Sequence, residues 1–330
     1  MIRSASHSSY PRIGDGAWDQ QLRRTARERD RGLASDADYR AIEDEVASLV
    51  VAEQARAFVD VVTDGLVRWS GPFSHFCRGW DGVALDGLAR WFETGLYDRT
   101  PAVTGPVRRR EPVVVRDARL ALDVRPKHYK AILPGPVTLA HAARVPEGAD
   151  RAAVAGEIAE ALAAEAAELA EAGVTMLQVD EPVLCRRPET AELVARCVGR
   201  VFGAAGEGAT TILSTYFGDL SNPALDLAAL PGTHLGLDMV HGAGNWPVLT
   251  RLPEGRGVHL GLFDARTVRP ETAEEAFERI VPYREILMAR DVMVGPQCGL
   301  ELIPRDQAFD KLLQARYLKE RLEREWRWRS

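Results

Sequence analysis

Short apolar runs alternate with helix-like segments along the C-terminal two thirds of the chain. The runs are rich in Leu and β-branched residues and show almost no polar alternation, which is typical of strands buried on both faces of a sheet. Each run ends in a turn rich in Gly, Pro or Asp, and a helical stretch follows, such as the Ala- and Glu-rich segment from about Arg151 to Ala172. This alternation predicts a parallel sheet.

Eight such strands are expected, which is the number that closes a (β/α)8 TIM barrel. Six of them read, in chain order, HYKAILPGP, VTMLQVDEP, ATTILSTYFGD, THLGLDMVHG, GVHLGLFDAR and DVMVGPQCG, and two earlier ones are SHSSYPRIG and FVDVVTDGL (Phe58–Leu66). Between Ile13 and Arg56 the helical stretches carry acids and Arg in similar measure, as a solvated outer layer would. The expected fold class is therefore α/β, with one (β/α)8 barrel.

One segment departs from the alternation. Residues 101–124 contain two β-rich runs without a helix between them, and they are interpreted as an antiparallel hairpin inserted in the barrel. No low-complexity linker interrupts the chain. Residues 1–330 are therefore expected to form a single domain.

Composition narrows the functional class. The net charge of −6 argues against a nucleic-acid-binding protein, which would usually carry a basic excess. The four scattered cysteines form no C-x-x-C pair, and no apolar run approaches the roughly 20 residues of a membrane span. The N-terminal residues MIRSASHSSY lack the apolar core of a signal peptide. A cytoplasmic protein with a small-molecule substrate, and with no nucleic-acid or membrane partner, is expected.

Polar residues stand where nearly every expected strand ends. In such barrels the active site forms at these ends, so the candidate residues are Ser9, Arg12, Asp64, Asp180, Glu181, Ser214, Tyr216, Asp238, Arg266 and Cys298. Each residue alone has a structural alternative, because a carboxylate can cap the next helix and a small residue can serve a tight corner. Asp180 could cap its turn, and Glu181 could pair with Arg186. Their recurrence at the strand ends favours a functional site.

These strand ends resemble a known family. SSYPRIG, LPGPVTLA, LQVDEPVL and GPQCGLELIPRDQAFDKL, in this order and spacing, are similar to the cobalamin-independent methionine synthases, and the similarity to short single-barrel members covers nearly the whole chain. TDGLVRW and GLARWFETGLYDRTPAV resemble the family's second unit and hairpin entry. The resemblance implies a methyltransferase of methionine biosynthesis that acts on a thiol or similar acceptor, with a folate-type methyl donor as one option.

The family's zinc ligands are mostly replaced here. The resemblance implies a His-x-Cys at one strand end, a Glu at the next and a Cys near the last, which fall on Ser214-Thr215-Tyr216, on or near Asp238, and on Cys298. Ser and Tyr are not usual zinc ligands. Zinc is therefore disfavoured as a cofactor, and a rebuilt site of Asp238, His241 and Cys298 is the alternative. The degenerate site is expected to slow ordinary homocysteine methylation.

The role of Cys298 stays open at this point. The string STYFGD resembles the zinc-less barrel that forms the N-terminal half of the long two-barrel synthases, and such barrels keep the cysteine corner without a metal. Cys298 is then a structural corner residue, a participant in metal or thiol chemistry, or a covalent nucleophile whose base the fold would supply. Asp180, Glu181 and Cys298 are the candidate catalytic residues.

The expected substrate contacts also depart from the family pattern. The resemblance assigns the amino-acid carboxylate to Ser9 and the amino group to Asp180, whereas Leu66 stands where a second acid would contact the amine, Ala142 where an aromatic would stack on folate, and Arg266 where a catalytic His would be. These changes move the local charge towards positive, which suits a ligand that is more anionic or less dependent on its amine, such as folate polyglutamate, a phosphate or a dicarboxylate.

Three functions therefore remain open. The first is a diverged methyltransferase of the family. The second is a different barrel enzyme of the lyase or decarboxylase type. The third is a non-catalytic ligand-binding protein that partners a zinc-bearing barrel.

Overall fold

The computed structural model describes residues 1–16, 19–90, 92, 95 and 97–327. It is an α/β fold whose chain packs as two compact units. Unit 1 comprises Met1–Arg68, Asp117–Tyr129 and His259–Ser330, and unit 2 comprises Trp69–Arg116 and Lys130–Val258. Closure of a complete eight-stranded barrel and the single-domain organisation stay predictions.

Apart from two longer and more exposed strands, Trp80–Arg90 and Tyr97–Arg109, the strands are short and mostly buried. They are β1 (Ile2–Ser4), β2 (Val61–Val62), β3 (Trp80–Arg90), β4 (Tyr97–Arg109), β5 (His128–Tyr129), β6 (Ala131–Pro134), β7 (Met176–Asp180), β8 (Thr210–Ser214), β9 (His234–Asp238), β10 (Gly257–Phe263) and β11 (Val292–Pro296). Every residue of β6, β7, β9, β10 and β11 is buried. This agrees with the prediction of strands covered on both faces.

Helices follow most of the strands. They are α1 (Gln21–Asp30), α2 (Asp36–Arg56), α3 (Ser74–Cys77), α4 (Val115–Asp123), α5 (Pro136–Ala142), α6 (Arg151–Glu171), α7 (Val183–Arg186), α8 (Ala191–Gly203), α9 (Asn245–Val248), α10 (Ala273–Ile280), α11 (Arg284–Met288) and α12 (Arg305–Trp326). The helix expected over about Arg151 to Ala172 is α6, whose first turn is capped by the Asp150 side chain. None of the helices within the described residues has the length and apolar character that crossing a membrane requires.

In unit 1, β1 pairs in parallel with β11, and β10 lies on the other side of β11. The two residues of β2 pair in parallel with β5. The first two strands are shorter than, or offset from, the sequence prediction. The run SHSSYPRIG follows β1 instead of forming it, and Phe58 lies outside β2 as an exposed residue with a left-handed backbone (φ 56°).

In unit 2, four parallel strands lie in the order β9, β8, β7, β6. Their register places Pro134 opposite Asp180, Asp180 opposite Ser214, and Ser214 opposite Gly236. The carboxyl ends of β6, β7 and β8 are therefore level, β9 continues two residues further to Asp238, and the residues that follow these strands emerge along one edge of the sheet. This alignment brings the candidate residues of unit 2 together.

The antiparallel hairpin is present, but not over residues 101–124. It consists of β3 and β4, so it spans residues 80–109. The second run, from Val115 to Asp123, is the helix α4, so this part of the prediction was wrong. Val115, Ala118 and Ala121 are buried at a spacing of three, which matches a helical face better than a strand. The β-branched residues at the start of the run obscured that spacing.

Candidate functional site

A chain of three polar side chains runs to the end of β7 in unit 2. Lys130 Nζ donates to Gln178 Oε1 (2.5 Å), and Gln178 Nε2 donates to Asp180 Oδ1 (2.7 Å). Lys130 and Gln178 are completely buried, whereas Asp180 keeps 9% of its surface exposed. Gln178 and Asp180 share one face of β7 because they are two residues apart. The carboxylate of Asp180 is thus the solvent-reaching end of a buried hydrogen-bonded chain.

Glu181 has a different environment from its neighbour. It is fully buried, and its carboxylate accepts from Val137 N (2.8 Å), Thr138 N (2.9 Å) and Thr138 Oγ1 (2.6 Å). These donors belong to the first turn of α5, whose backbone N–H groups have no partner within the helix. Burial raises the pKa of the Glu181 carboxyl to about 7, although these hydrogen bonds oppose the shift. Glu181 therefore links the start of α5 to the end of β7. The described partners of its carboxylate are Val137 and Thr138, and they do not include Arg186.

Gly135 permits this arrangement. A β-carbon at Gly135 would lie 2.2 Å from the Glu181 carboxyl carbon and 2.5 Å from the Asp180 carbonyl oxygen. We expect Gly135→Ala to lower the free energy of unfolding by about 2 kcal/mol, because overpacking a rigid site forces the backbone to move. Gly156→Ala within α6 is the matched control, since nothing lies within 4 Å of its added carbon. Urea denaturation should show the control to be as stable as the parent protein or more so, by about 0.5–1 kcal/mol. Equal stability of the two variants would contradict this prediction.

The residues at the ends of β8 and β9 also lie in unit 2. Ser214 is fully buried, and its carbonyl accepts from Glu181 N (2.8 Å). The ring of Tyr216 packs edge-on against Phe217, with 4.7 Å between the ring centroids. Asp238 is fully buried and accepts from three backbone amides, those of Phe217 (3.0 Å), Val240 (3.0 Å) and His241 (2.8 Å). The carboxylate of Asp238 thus organises two loops.

In unit 1, the Cys298 corner lies against the Ser9 segment. Cys298 is buried two residues beyond β11, and Leu300 N donates to Ser9 O (2.8 Å). A β-carbon at Gly299 would lie 1.8 Å from Ser9 Oγ and 2.4 Å from Glu301 Oε2. The glycine therefore allows a close approach between the two segments, and it brings the Glu301 carboxylate into the surroundings of Ser9. The corner position expected for Cys298 agrees with this packing.

Asp64 lies in the same unit, next to this segment. Ser9 and Gly65 form a parallel bridge, and Thr63 Oγ1 donates to Ser8 O (2.5 Å). Asp64 is buried and accepts from Leu66 N (3.1 Å), and burial raises the pKa of its carboxyl to about 6. Leu66 adopts a left-handed backbone (φ 51°), which is uncommon for a non-glycine residue and indicates a constrained turn.

The two candidate arginines are exposed. Arg12 Nη1 donates to Val67 O (3.0 Å), so its guanidinium lies against the loop that follows β2. The backbone N–H of Arg266 donates to Asp264 Oδ1 (2.8 Å), and Gln297 Nε2 donates to the same oxygen (3.2 Å). Both arginines therefore lie in loops of unit 1 that follow strands.

The candidate residues at the strand ends are poor ligands for a tetrahedral zinc. Such a site needs several ligands chosen from Cys, His and carboxylate. Ser214 and Tyr216 lack that chemistry, and the Asp238 carboxylate is engaged by backbone amides, including that of His241. The exposed His241 side chain also acts electrostatically on Asp238, where its charge opposes the rise of the carboxyl pKa that burial causes. Among the described residues, no three His, Cys, Asp or Glu side chains are grouped so that they could hold a metal ion. The residues do not fit the family's zinc, and the metal content stays a prediction.

Sequence reasoning missed Lys130, Gln178, Thr138 and Glu301. The signal for Lys130 was present, since it is a lone cation at the start of an apolar strand run. Gln178 was also visible as the residue two positions before Asp180 in LQVDEP. Thr138 and Glu301 carry no comparable local signal, because their partners lie in other segments.

Parallel strands with polar carboxyl ends are the arrangement at which α/β proteins commonly bind their ligands. A family model described as "Cobalamin-independent synthase, Catalytic domain" matches residues 9–193. The methionine synthase of Methanothermobacter thermautotrophicus is 30% identical over 271 residues, covering 79% of this chain and 84% of the relative. That of Sulfurisphaera tokodaii is 28% identical over 308 residues, covering 92% and 88%.

The fold also has a solved counterpart. The B12-independent methionine synthase of Shewanella sp. W3-18-1, solved in complex with selenomethionine, superposes with a TM-score of 0.82 at 20% identity and covers 98% of both chains. The chain belongs to the cobalamin-independent methionine synthase family, whose members are methyltransferases of methionine biosynthesis. The family predicted from the strand-end motifs is confirmed.

Proposed function

We propose that this protein is a diverged methyltransferase whose ligand is an amino acid, bound through its ammonium group at Asp180, and that it does not use a protein-held tetrahedral zinc. The proposal rests on the residues at the strand ends of unit 2 and on their hydrogen bonds. Asp180 presents a carboxylate at the level edge of the sheet, whereas the positions corresponding to zinc ligands hold Ser214, Tyr216 and a carboxylate already bound to three backbone amides.

The electrostatics of Asp180 support an ammonium-bearing ligand. A carboxylate at the end of a mostly buried chain attracts a cation strongly, because the surrounding dielectric is low. The partner of Asp180 in that chain is an amide N–H, so an ammonium group adds a second charge-assisted hydrogen bond to the carboxylate. The related Shewanella protein was solved with selenomethionine, which carries such a group. Methionine is therefore a suitable probe.

The lack of a full set of zinc ligands affects how a thiol acceptor could be deprotonated. A thiol is a weak nucleophile until it is deprotonated, and zinc coordination is one way to deprotonate it at neutral pH. Without ligands for the metal, homocysteine would keep its proton, so its methylation is expected to be slow. A folate-type compound is the first methyl donor to assay.

Metal analysis tests the zinc part of the proposal. We expect well under one zinc per chain in protein purified without chelators and without a histidine tag, because the matched positions offer only Cys298 and Asp238, and two ligands bind zinc weakly. Elemental analysis of the parent protein and of the Cys298→Ser variant should give the same low content. About one zinc per chain in the parent protein, lost in Cys298→Ser, would overturn this part.

Ligand binding tests the other part. Calorimetry should show that the protein binds L-methionine more tightly than 4-(methylthio)butanoate, which is the same molecule without its amino group. Equal affinity for the two ligands would contradict ammonium recognition. Zinc content and ligand preference are measured separately, so either part of the proposal can fail alone.

A further inference from the structure

A fully buried lysine supports the Asp180 carboxylate. Lys130 has no exposed surface, and the described contacts of its ammonium lead only to Gln178. Removing an ammonium from water is costly, and burial lowers the pKa of Lys130 well below its usual range, although the negative charge of Asp180 opposes that shift. A residue that is unfavourable for stability in this way is more often retained for function than for folding.

The hydrogen bonds of Lys130 fix the orientation of one amide. A protonated Lys130 only donates, so the end of the Gln178 side chain that faces it is the carbonyl oxygen. The NH2 end of Gln178 then faces Asp180, where it donates at 2.7 Å. Without Lys130, the buried Gln178 carbonyl would lose its donor, so the Gln178 side chain would shift towards another partner and its bond to Asp180 would be displaced.

The backbone supports this geometry. Ile132 pairs with Gln178, and Pro134 pairs with Asp180, across the parallel strands β6 and β7. Lys130 lies two residues before Ile132, so its side chain points to the same face as Gln178 and Asp180. Only the Asp180 end of the three retains exposed surface, so Lys130 acts on a ligand through the other two residues.

We propose that Lys130 is a positioning residue that locks the Gln178 amide and thereby holds Asp180 as a hydrogen-bond acceptor for the ammonium group of an amino-acid ligand. This inference rests on the proposed function, and it identifies how that site selects its ligand class. An acceptor-only carboxylate held in one place binds ammonium groups and repels carboxylates and phosphates.

Lys130→Met tests the inference because Met keeps the length of the side chain and removes its charge and donors. The dissociation constant for L-methionine should rise about 10-fold or more, as expected when a charge-assisted hydrogen bond is misplaced. Affinity for 4-(methylthio)butanoate should not change, because that ligand has no ammonium group. The melting temperature should fall only modestly, because the buried Gln178 carbonyl loses its donor while the removal of a buried charge acts in the opposite direction.

Two further variants make the result specific. Gln178→Leu keeps Lys130 but removes the donor to Asp180, so it should weaken L-methionine binding to the same extent. Lys127→Met is the control: the Lys127 side chain is 64% exposed and pairs with Asp60, so both affinities should match the parent protein.

The outcomes separate this inference from the proposed function. A Lys130→Met protein that keeps the parent's preference for L-methionine would overturn the inference. So would a lower melting temperature together with equal weakening of both ligands, which is the signature of a purely structural lysine. A parent protein that does not discriminate between the ligands would instead overturn the proposed function, and this inference with it.

Discussion

Replacing Glu181 with Ala is expected to lower the free energy of unfolding by about 3 kcal/mol at pH 8, because three buried donors lose their acceptor at once. The loss should be measured by urea denaturation. Thr138→Val removes only the hydroxyl donor and should lower the stability by about 1 kcal/mol. Glu189→Ala is the exposed control and should change it by less than about 0.5 kcal/mol, since the Glu189 side chain is 66% exposed.

The effect of Glu181→Ala should depend on pH. The carboxyl has a pKa of about 7 in the folded protein against an ordinary value of 4.5, so the folded state holds a proton that the unfolded state releases. The stability contributed by Glu181 is therefore full below about pH 4.5 and decreases as the pH rises through 7. The difference between parent and variant should be larger at pH 5 than at pH 8, by up to about 3 kcal/mol. A difference that is small at every pH, or that grows with rising pH, would contradict this account.

Asp180→Asn is expected to raise the dissociation constant for L-methionine about 100-fold, because it removes one charge of a desolvated pair and leaves the ligand ammonium unmatched. In the parent protein, Gln178 Nε2 donates to Asp180 Oδ1. The Asn side chain of the variant places an NH2 group of its own close to that donor. Calorimetry with L-methionine and with 4-(methylthio)butanoate should show the loss for the first ligand only.

The matched control is Asp226→Asn, also in unit 2. Asp226 is exposed, and its side chain accepts from Ala228 N (2.9 Å), a bond that an Asn oxygen can replace. The control should bind both ligands as the parent protein does. Unchanged L-methionine binding in Asp180→Asn, at unchanged stability, would remove Asp180 from the site.

Local sequence pattern determined much of the fold. The six C-terminal strands and α6 lie where apolar runs and helical periodicity placed them, because both signals are written in neighbouring residues. For the same reason, only the first run of the predicted hairpin is a strand, which lies in β4, whereas the second run is the helix α4. Val113, Val114 and Val115 look like a strand start, yet the N–H groups of Val113 and Val114 donate to Glu165 of α6 and lead into a helix.

The roles of the paired acids needed the tertiary structure. In the sequence, Asp180 and Glu181 are adjacent and equivalent candidates. In the fold, successive residues at a strand end point to opposite sides, so one carboxylate joins Gln178 and the other meets α5. The partners of Glu181 lie 43 and 44 positions away, and no local pattern encodes such a contact.

The sequence by itself determined the family, the α/β class and the positions of the strand ends. Motifs and periodicity are read from neighbouring residues, so they do not require knowledge of the packing. It also supplied the prediction that Ser214 and Tyr216 stand where the family has zinc ligands, since neither residue type is a usual zinc ligand. Only the tertiary structure decided that Asp238 accepts from backbone amides and that buried Lys130 donates to Gln178, which in turn donates to Asp180. Hydrogen bonds between distant segments depend on where folding places each donor and acceptor, and burial then makes those bonds strong enough to assign a role.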